Sequence, residues 1–184
     1  MSKVYPILLE PYLKEVVWGG DNLGRLFGKP VKPGARIGEA WEISDHPNGS
    51  STVTNGEFKG KPLKEVVSQN RELILGKLAS RPRLPLLIKL LDATSNLSVQ
   101  VHPDDKAASV LEGEPNGKTE SWVILHAAPE AKIVFGLVPD TTKQDFAKAV
   151  RDGTEVERFL NFVPVKKGDV FFIQAGTIHA LLKG

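Results

Sequence analysis

The sequence predicts a mainly β fold, a sandwich or barrel with α-helices at its periphery. Three observations point there. Six short apolar runs, "LLIKLLDA", "LSVQVH", "TESWVILH", "AKIVFG", "FVPVKKG" and "DVFFIQAG", follow one another with turn residues or short helical segments between them, the spacing of strands in a sandwich or barrel. Upstream, "ARIGEAWEIS" alternates apolar and polar residues, as a half-buried strand does. Helical spacing is confined to a few segments, which suits an outer layer covering a sheet.

Taken in order, Val4 to Leu9 reads as a short strand, and the Gly- and Pro-rich "FGKPVKPG" connects onward to "ARIGEAWEIS". "HPNGSS" reads as a turn. From Pro62, "PLKEVVSQNRELILGKL" sets Leu63, Val66, Val67, Leu73, Ile74 and Leu78 at helical spacings, with Gly76 and "SRPRLP" marking its end. Within the run of strands, "PDDKAASVLEG" places Asp104 to cap a short helix. A second amphipathic helix, "TTKQDFAKAV", carries Phe146, Ala149 and Val150 on one side.

A chain of 184 residues is long enough for a single domain, which buries roughly 70% of the surface its unfolded form exposes. It contains no cysteine, which excludes disulfides and thiolate metal sites and leaves histidines and carboxylates as metal ligands. Lys and Arg number 24 against 22 Asp and Glu, a net charge of +2 spread along the chain without a basic stripe, so nucleic acid is not an expected partner. Pro6, Glu10 and Pro11 interrupt the N-terminal apolar stretch, which therefore reads as neither signal peptide nor membrane span. A soluble, cytoplasmic protein is the expectation.

The run "NLSVQVHPDDK" raises a chemical question. In an extended strand alternate side chains share a face, so Gln100 and His102 point one way while Val99 and Val101 point the other. Glu120 stands at the start of a later strand, and His179 follows the small-residue turn "QAGT". Two histidines and one carboxylate from separate strands make a catalytic metal site with an open position. His126, at a strand end, and His46, in a turn, are set aside, His46 as a cap for backbone groups. Trp18 and Trp41 read as core residues, although an aromatic face can also pack on a sugar ring.

Lys89 interrupts "LLIKLL", and Lys118 shares the face of Glu120 if that strand extends back through Thr119. Burying an ammonium is costly unless it is paired. Either the stem packs on apolar surface while the head reaches water, or the amine takes part in chemistry.

The blocks "PLLIKLLDATSNLSVQVHPDD", "GKTESW" and "GDVFFIQAGTIHAL", with the upstream "WGG", "LFG", "IGEAWEIS" and "HPNGSS", resemble the successive motifs of type I mannose-6-phosphate isomerases, which are zinc-dependent cupins. The general cupin pattern is present as Gly168, Gly176 and His179, with Gln174 where that pattern usually has Pro. The resemblance implies a cupin (jelly-roll) barrel holding one Zn2+ per chain through Gln100, His102, Glu120 and His179. From the residues alone, Gln100 is either a ligand or a hydrogen-bonding neighbour. The implied substrates are mannose 6-phosphate and fructose 6-phosphate, interconverted through a cis-enediol, with zinc as Lewis acid and Lys118 or Lys89 moving the proton.

Two other classes share these ligand types: a non-catalytic metal- or sugar-binding cupin module, and an iron-dependent cupin oxygenase. The lysine pair argues against the first and the isomerase-like blocks against the second. In the family, further strands and an arginine-containing segment follow the counterpart of His179. The expectation is therefore that residues 1–184 lack the closing strands and present an edge open to a partner strand or to self-association.

Overall fold

A central strand, Ile37–Ile43, organises the first part of the molecule because its residues are apolar or paired on both faces. The computed structural model describes residues 5–114 and 116–184, and the chain divides into two units, Met1–Asp92 and Ala93–Gly184. In the first unit the elements run β1 (Leu9–Glu10), β2 (Tyr12–Gly20), α1 (Asn22–Phe27), β3 (Ile37–Ile43), β4 (Asp45–His46), β5 (Gly49–Ser50), β6 (Thr52–Val53), α2 (Leu63–Gln69), α3 (Arg71–Leu75) and β7 (Ile88–Leu91). The antiparallel sheet β2-β3-β7 carries Ile37 and Ala40, which pack with Leu23 of α1 into a buried cluster joined by Leu13, Val31 and Leu90. A second cluster packs Val53, Phe58 and Val66.

Three details of this unit depart from the sequence reading. The strand expected over Val4–Leu9 is reduced to Leu9–Glu10; Val4 itself lies outside the described residues. Pro6 has no N–H to offer a ladder, and the Asn55 side chain substitutes for one, donating to the Pro6 carbonyl (2.9 Å) and accepting from the Leu8 N–H (2.8 Å). Strand β2 was not expected, because its pairing with β3 shifts register between Lys14 and Glu15 and again before Gly20, which scrambles the period-two pattern. The helix expected from Pro62 breaks at Asn70, whose φ of −133° is not helical and whose side-chain amide donates to the Val66 carbonyl at 2.9 Å. "HPNGSS" forms the β4-β5 hairpin turn.

The second unit contains α4 (Asp105–Leu111), β8 (Glu120–Val123), β9 (Lys132–Leu137), α5 (Lys143–Asp152), β10 (Leu160–Pro164), β11 (Val170–Ile173) and β12 (His179–Leu181). Its strands form two antiparallel sheets, β10-β9-β12 and β11-β8, which face each other where the rings of Phe135 (β9) and Phe171 (β11) meet edge to face at 5.6 Å. Val134, Leu160 and Ala180 are buried beneath Phe146 of α5. Both helices are capped as the sequence predicts for Asp104: it accepts from the Ala107 N–H at 2.8 Å, and Thr142 does the same for Asp145 at 3.1 Å.

"LSVQVH" is extended but makes only one bridge, Gln100 with His179. Its alternation is as expected and its burial is inverted: Gln100 and His102 are half-buried, whereas Val99 and Val101 are 45% and 55% exposed. The polar face is the one turned inward. Among the described residues no helix is long and apolar enough to cross a membrane.

Candidate metal centre

Four backbone hydrogen bonds bring distant pieces of the second unit together. Gln100 and His179 exchange both of theirs at 2.9 Å, and the Gly176 N–H donates to the His102 carbonyl at 2.7 Å. The latter requires a backbone turn with φ of +87° at Gly176, a conformation glycine adopts without penalty. The fourth runs from the Lys118 N–H to the Pro103 carbonyl at 3.0 Å. It depends on Gly117, where an added Cβ would lie 2.4 Å from the backbone of Pro103 and Asp104. Glycine at that point lets Lys118 approach the segment that carries His102.

The side chains then converge. Nε2 of His102 is 3.6 Å from Oε1 of Glu120, and Nε2 of His179 is 3.6 Å from Oε2 of the same carboxylate. One ligand atom from each of the three lies within 4.8 Å of the others. Glu120 opens β8 opposite Ile173, and His179 opens β12 opposite Phe135, so the two facing sheets supply one ligand each. His102 follows the bridged segment in a loop.

His179 shows most clearly what the site can hold. Its side chain is 1% exposed. Nδ1 lies 2.8 Å from the Thr177 carbonyl, an acceptor only, so in the neutral ring Nδ1 carries the proton and Nε2 presents a lone pair. That buried Nε2 has no hydrogen-bond partner among the described residues. A buried, unpaired acceptor facing a carboxylate is unfavourable unless a cation lies between them. The residues present therefore fit a divalent ion of the kind that binds imidazole and carboxylate together.

Glu120 is prepared to be anionic. Burial would raise its pKa, but hydrogen bonds from Lys118 and Trp122 and the charges of Lys118 and His102 outweigh that and hold it below the ordinary 4.5. Lys118 Nζ lies 2.8 Å from Oε1 and 3.0 Å from His102 Nε2, and the Trp122 indole N–H donates to Oε2 at 3.0 Å. Gln100 joins the group through its backbone bridge to His179.

Lys89 lies in the first unit, on β7, opposite Trp41 of β3. Its Nζ pairs with Oε2 of Glu39 at 2.9 Å, the same oxygen accepts from the Trp41 indole at 2.8 Å, and Lys14 reaches Oε1 at 3.2 Å. Glu39 is buried. Burial would raise its pKa, yet the bonds from Lys89, Trp41 and Lys14 and the charge of Lys89 bring it below 4.5. The pairing that this half-buried lysine requires is thus supplied by a neighbouring strand. Trp41 is a buried core residue, His46 accepts the Asn48 N–H through Nδ1 at 3.1 Å, and His126 is exposed.

Residues 7–118 match the family model of the phosphomannose isomerase type I catalytic domain. The chain belongs to the type I phosphomannose isomerase family. Within the family it is 42% identical over 179 residues to the mannose-6-phosphate isomerase ManA of Bacillus subtilis and 41% identical over 179 residues to a mannose-6-phosphate isomerase of Streptococcus mutans. Each alignment covers 97% of this chain and 55% of the relative; the chain spans about half the length of these curated relatives. The crystal structure of the mannose 6-phosphate isomerase from Bacillus subtilis superimposes with a TM-score of 0.88 at 41% identity, over 97% of this chain and 55% of that one. The mainly β, cupin-type architecture expected from the sequence is therefore the fold of the family. Glu120 and His179 lie beyond the matched residues 7–118, so their grouping with His102 stands on the geometry.

Trp122 is the member of the group that the sequence reading left out. Its signal was available: it stands two residues after Glu120, hence on the same strand face.

Proposed function

We propose that this chain carries the metal-binding part of a mannose-6-phosphate isomerase, a zinc-dependent aldose-ketose isomerase that interconverts mannose 6-phosphate and fructose 6-phosphate through a cis-enediol. The observation that carries the reading is the buried Nε2 of His179, without a hydrogen bond among the described residues, converging with His102 and Glu120 in a chain of this family. His102, Glu120 and His179 would hold the ion, with Gln100 at or near a fourth position. When bound, zinc supplies Lewis acidity toward sugar oxygens on which negative charge develops.

The reaction moves one proton between C2 and C1 of the open-chain sugar. Lys118 is assigned to take and return it, a role supported by its Nζ lying against both His102 and Glu120. Lys89, held by Glu39, has the character of a fixed cation. Sugar phosphates as substrates place such an enzyme in the cytoplasm.

The test is NMR of fructose 6-phosphate incubated with the zinc-loaded protein in deuterated water. Mannose 6-phosphate should form, with deuterium entering at the carbon that exchanges its proton through the enediol. Sugar phosphate binding without conversion or exchange would instead identify a non-catalytic module.

A further inference from the structure

Strand β8 pairs with β11 so that Glu120 stands opposite Ile173 and Trp122 opposite Phe171. Directly opposed residues of an antiparallel pair share a face, and Phe171 meets Phe135 of the other sheet, so Glu120 and Trp122 both point between the sheets. Trp122 makes two contacts there. Its Nε1 donates to Oε2 of Glu120 at 3.0 Å, and its ring stands at 82° to the imidazole of His179 with centroids 5.6 Å apart. Oε2 is the oxygen that faces His179, while Oε1, bonded to Lys118, faces His102.

We propose that Trp122 is a positioning residue of the metal centre, fixing at once the carboxylate rotamer of Glu120 and the ring plane of His179; the inference rests on the metal reading above. A carboxylate beside a cation can turn about its terminal torsion, which is broad and roughly two-fold. An indole N–H is rigid, donates only, and is satisfied here by one oxygen. It therefore fixes the plane of the carboxylate, holding one oxygen toward each histidine. The same hydrogen bond withdraws some charge from the carboxylate, which acts against metal binding. Loss of such an outer contact nevertheless typically weakens metal affinity by roughly 10- to 100-fold, so orientation outweighs the withdrawn charge.

The test is Trp122→Phe, which keeps an aromatic ring against His179 and removes the N–H. Zinc affinity is measured by competition with a chromophoric chelator for wild type and variant, alongside circular dichroism and the melting temperature of the metal-free proteins. The expected result is zinc affinity lower by roughly 10- to 100-fold with metal-free folding intact. Affinity within twofold of wild type overturns the inference. Should the variant fail to fold, wild-type protein with 15N-labelled tryptophan decides. The Trp122 indole signal must move and exchange more slowly with water when zinc is added, and a signal that does neither overturns the proposal. Wild-type protein that takes up no zinc overturns the metal reading and this inference together, whereas normal wild-type uptake with unchanged affinity in Trp122→Phe removes the inference alone.

Discussion

Replacing Lys118 with Met separates chemistry from metal binding. The ammonium contacts Glu120 Oε1 and His102 Nε2, two lone pairs that a bound cation would also use. Its removal takes away a competitor for those ligands without removing a ligand, so zinc affinity should stay the same or rise. Stability should hardly move: the lysine side chain is 46% exposed, and a pair of that exposure contributes about 0–1 kcal/mol. For a chain of this size that is a melting shift of no more than about 4 °C. Turnover should fall by about 10² to 10⁴, the usual scale for loss of a general acid or base. The assay couples fructose 6-phosphate conversion to mannose 6-phosphate, run at saturating zinc beside a chelator competition. Full activity would remove Lys118 from the proton path, and a tenfold loss of zinc affinity would mean that it supports the metal site instead.

Other expectations follow from the same contacts. Lys89→Met should destabilise by about 1–3 kcal/mol, because it strips one donor from buried Glu39; chemical denaturation of Lys14→Met, Lys89→Met and the double variant should show more than additive loss, since both lysines share that carboxylate. Glu39 and Glu120 are both held below 4.5, so the stability they contribute is fully present above that pH and is lost as pH falls through their lower folded values; denaturation midpoints should drop on acidification below about 4.5, and less steeply in Glu120→Gln. Asp104→Ala removes the cap of α4 and should cost about 1 kcal/mol, read as a lower melting temperature.

The ligand types were legible in the sequence because few residue types can serve: with no cysteine, histidines and carboxylates near strand ends were the available donors. Legible too was the alternation that puts Gln100 and His102 on one face. What was hidden depends on strand pairings and side-chain bonds that residue type and spacing do not encode. That the polar face is the inward one follows from the reciprocal bonds of Gln100 with His179, a pairing across 79 positions that no local pattern announces. Trp122 stands two residues after Glu120 and so on its face, but that Glu120 accepts its N–H is a matter of rotamer and not of pattern. Strand β2 was obscured by its register shifts, and the break at Asn70 turned on one side-chain amide competing for a helical carbonyl. The partner of Lys89 was equally unreadable, since Glu39 reaches it only because β3 and β7 are neighbours.

The most direct test of the central claim is metal-dependent turnover in wild type and His179→Ala. Protein stripped with a chelator should not convert fructose 6-phosphate, and wild type should regain activity on addition of one equivalent of zinc while His179→Ala does not. Turnover that persists without metal, or that zinc restores equally in His179→Ala, would contradict the assignment of His102, Glu120 and His179 as the catalytic metal site.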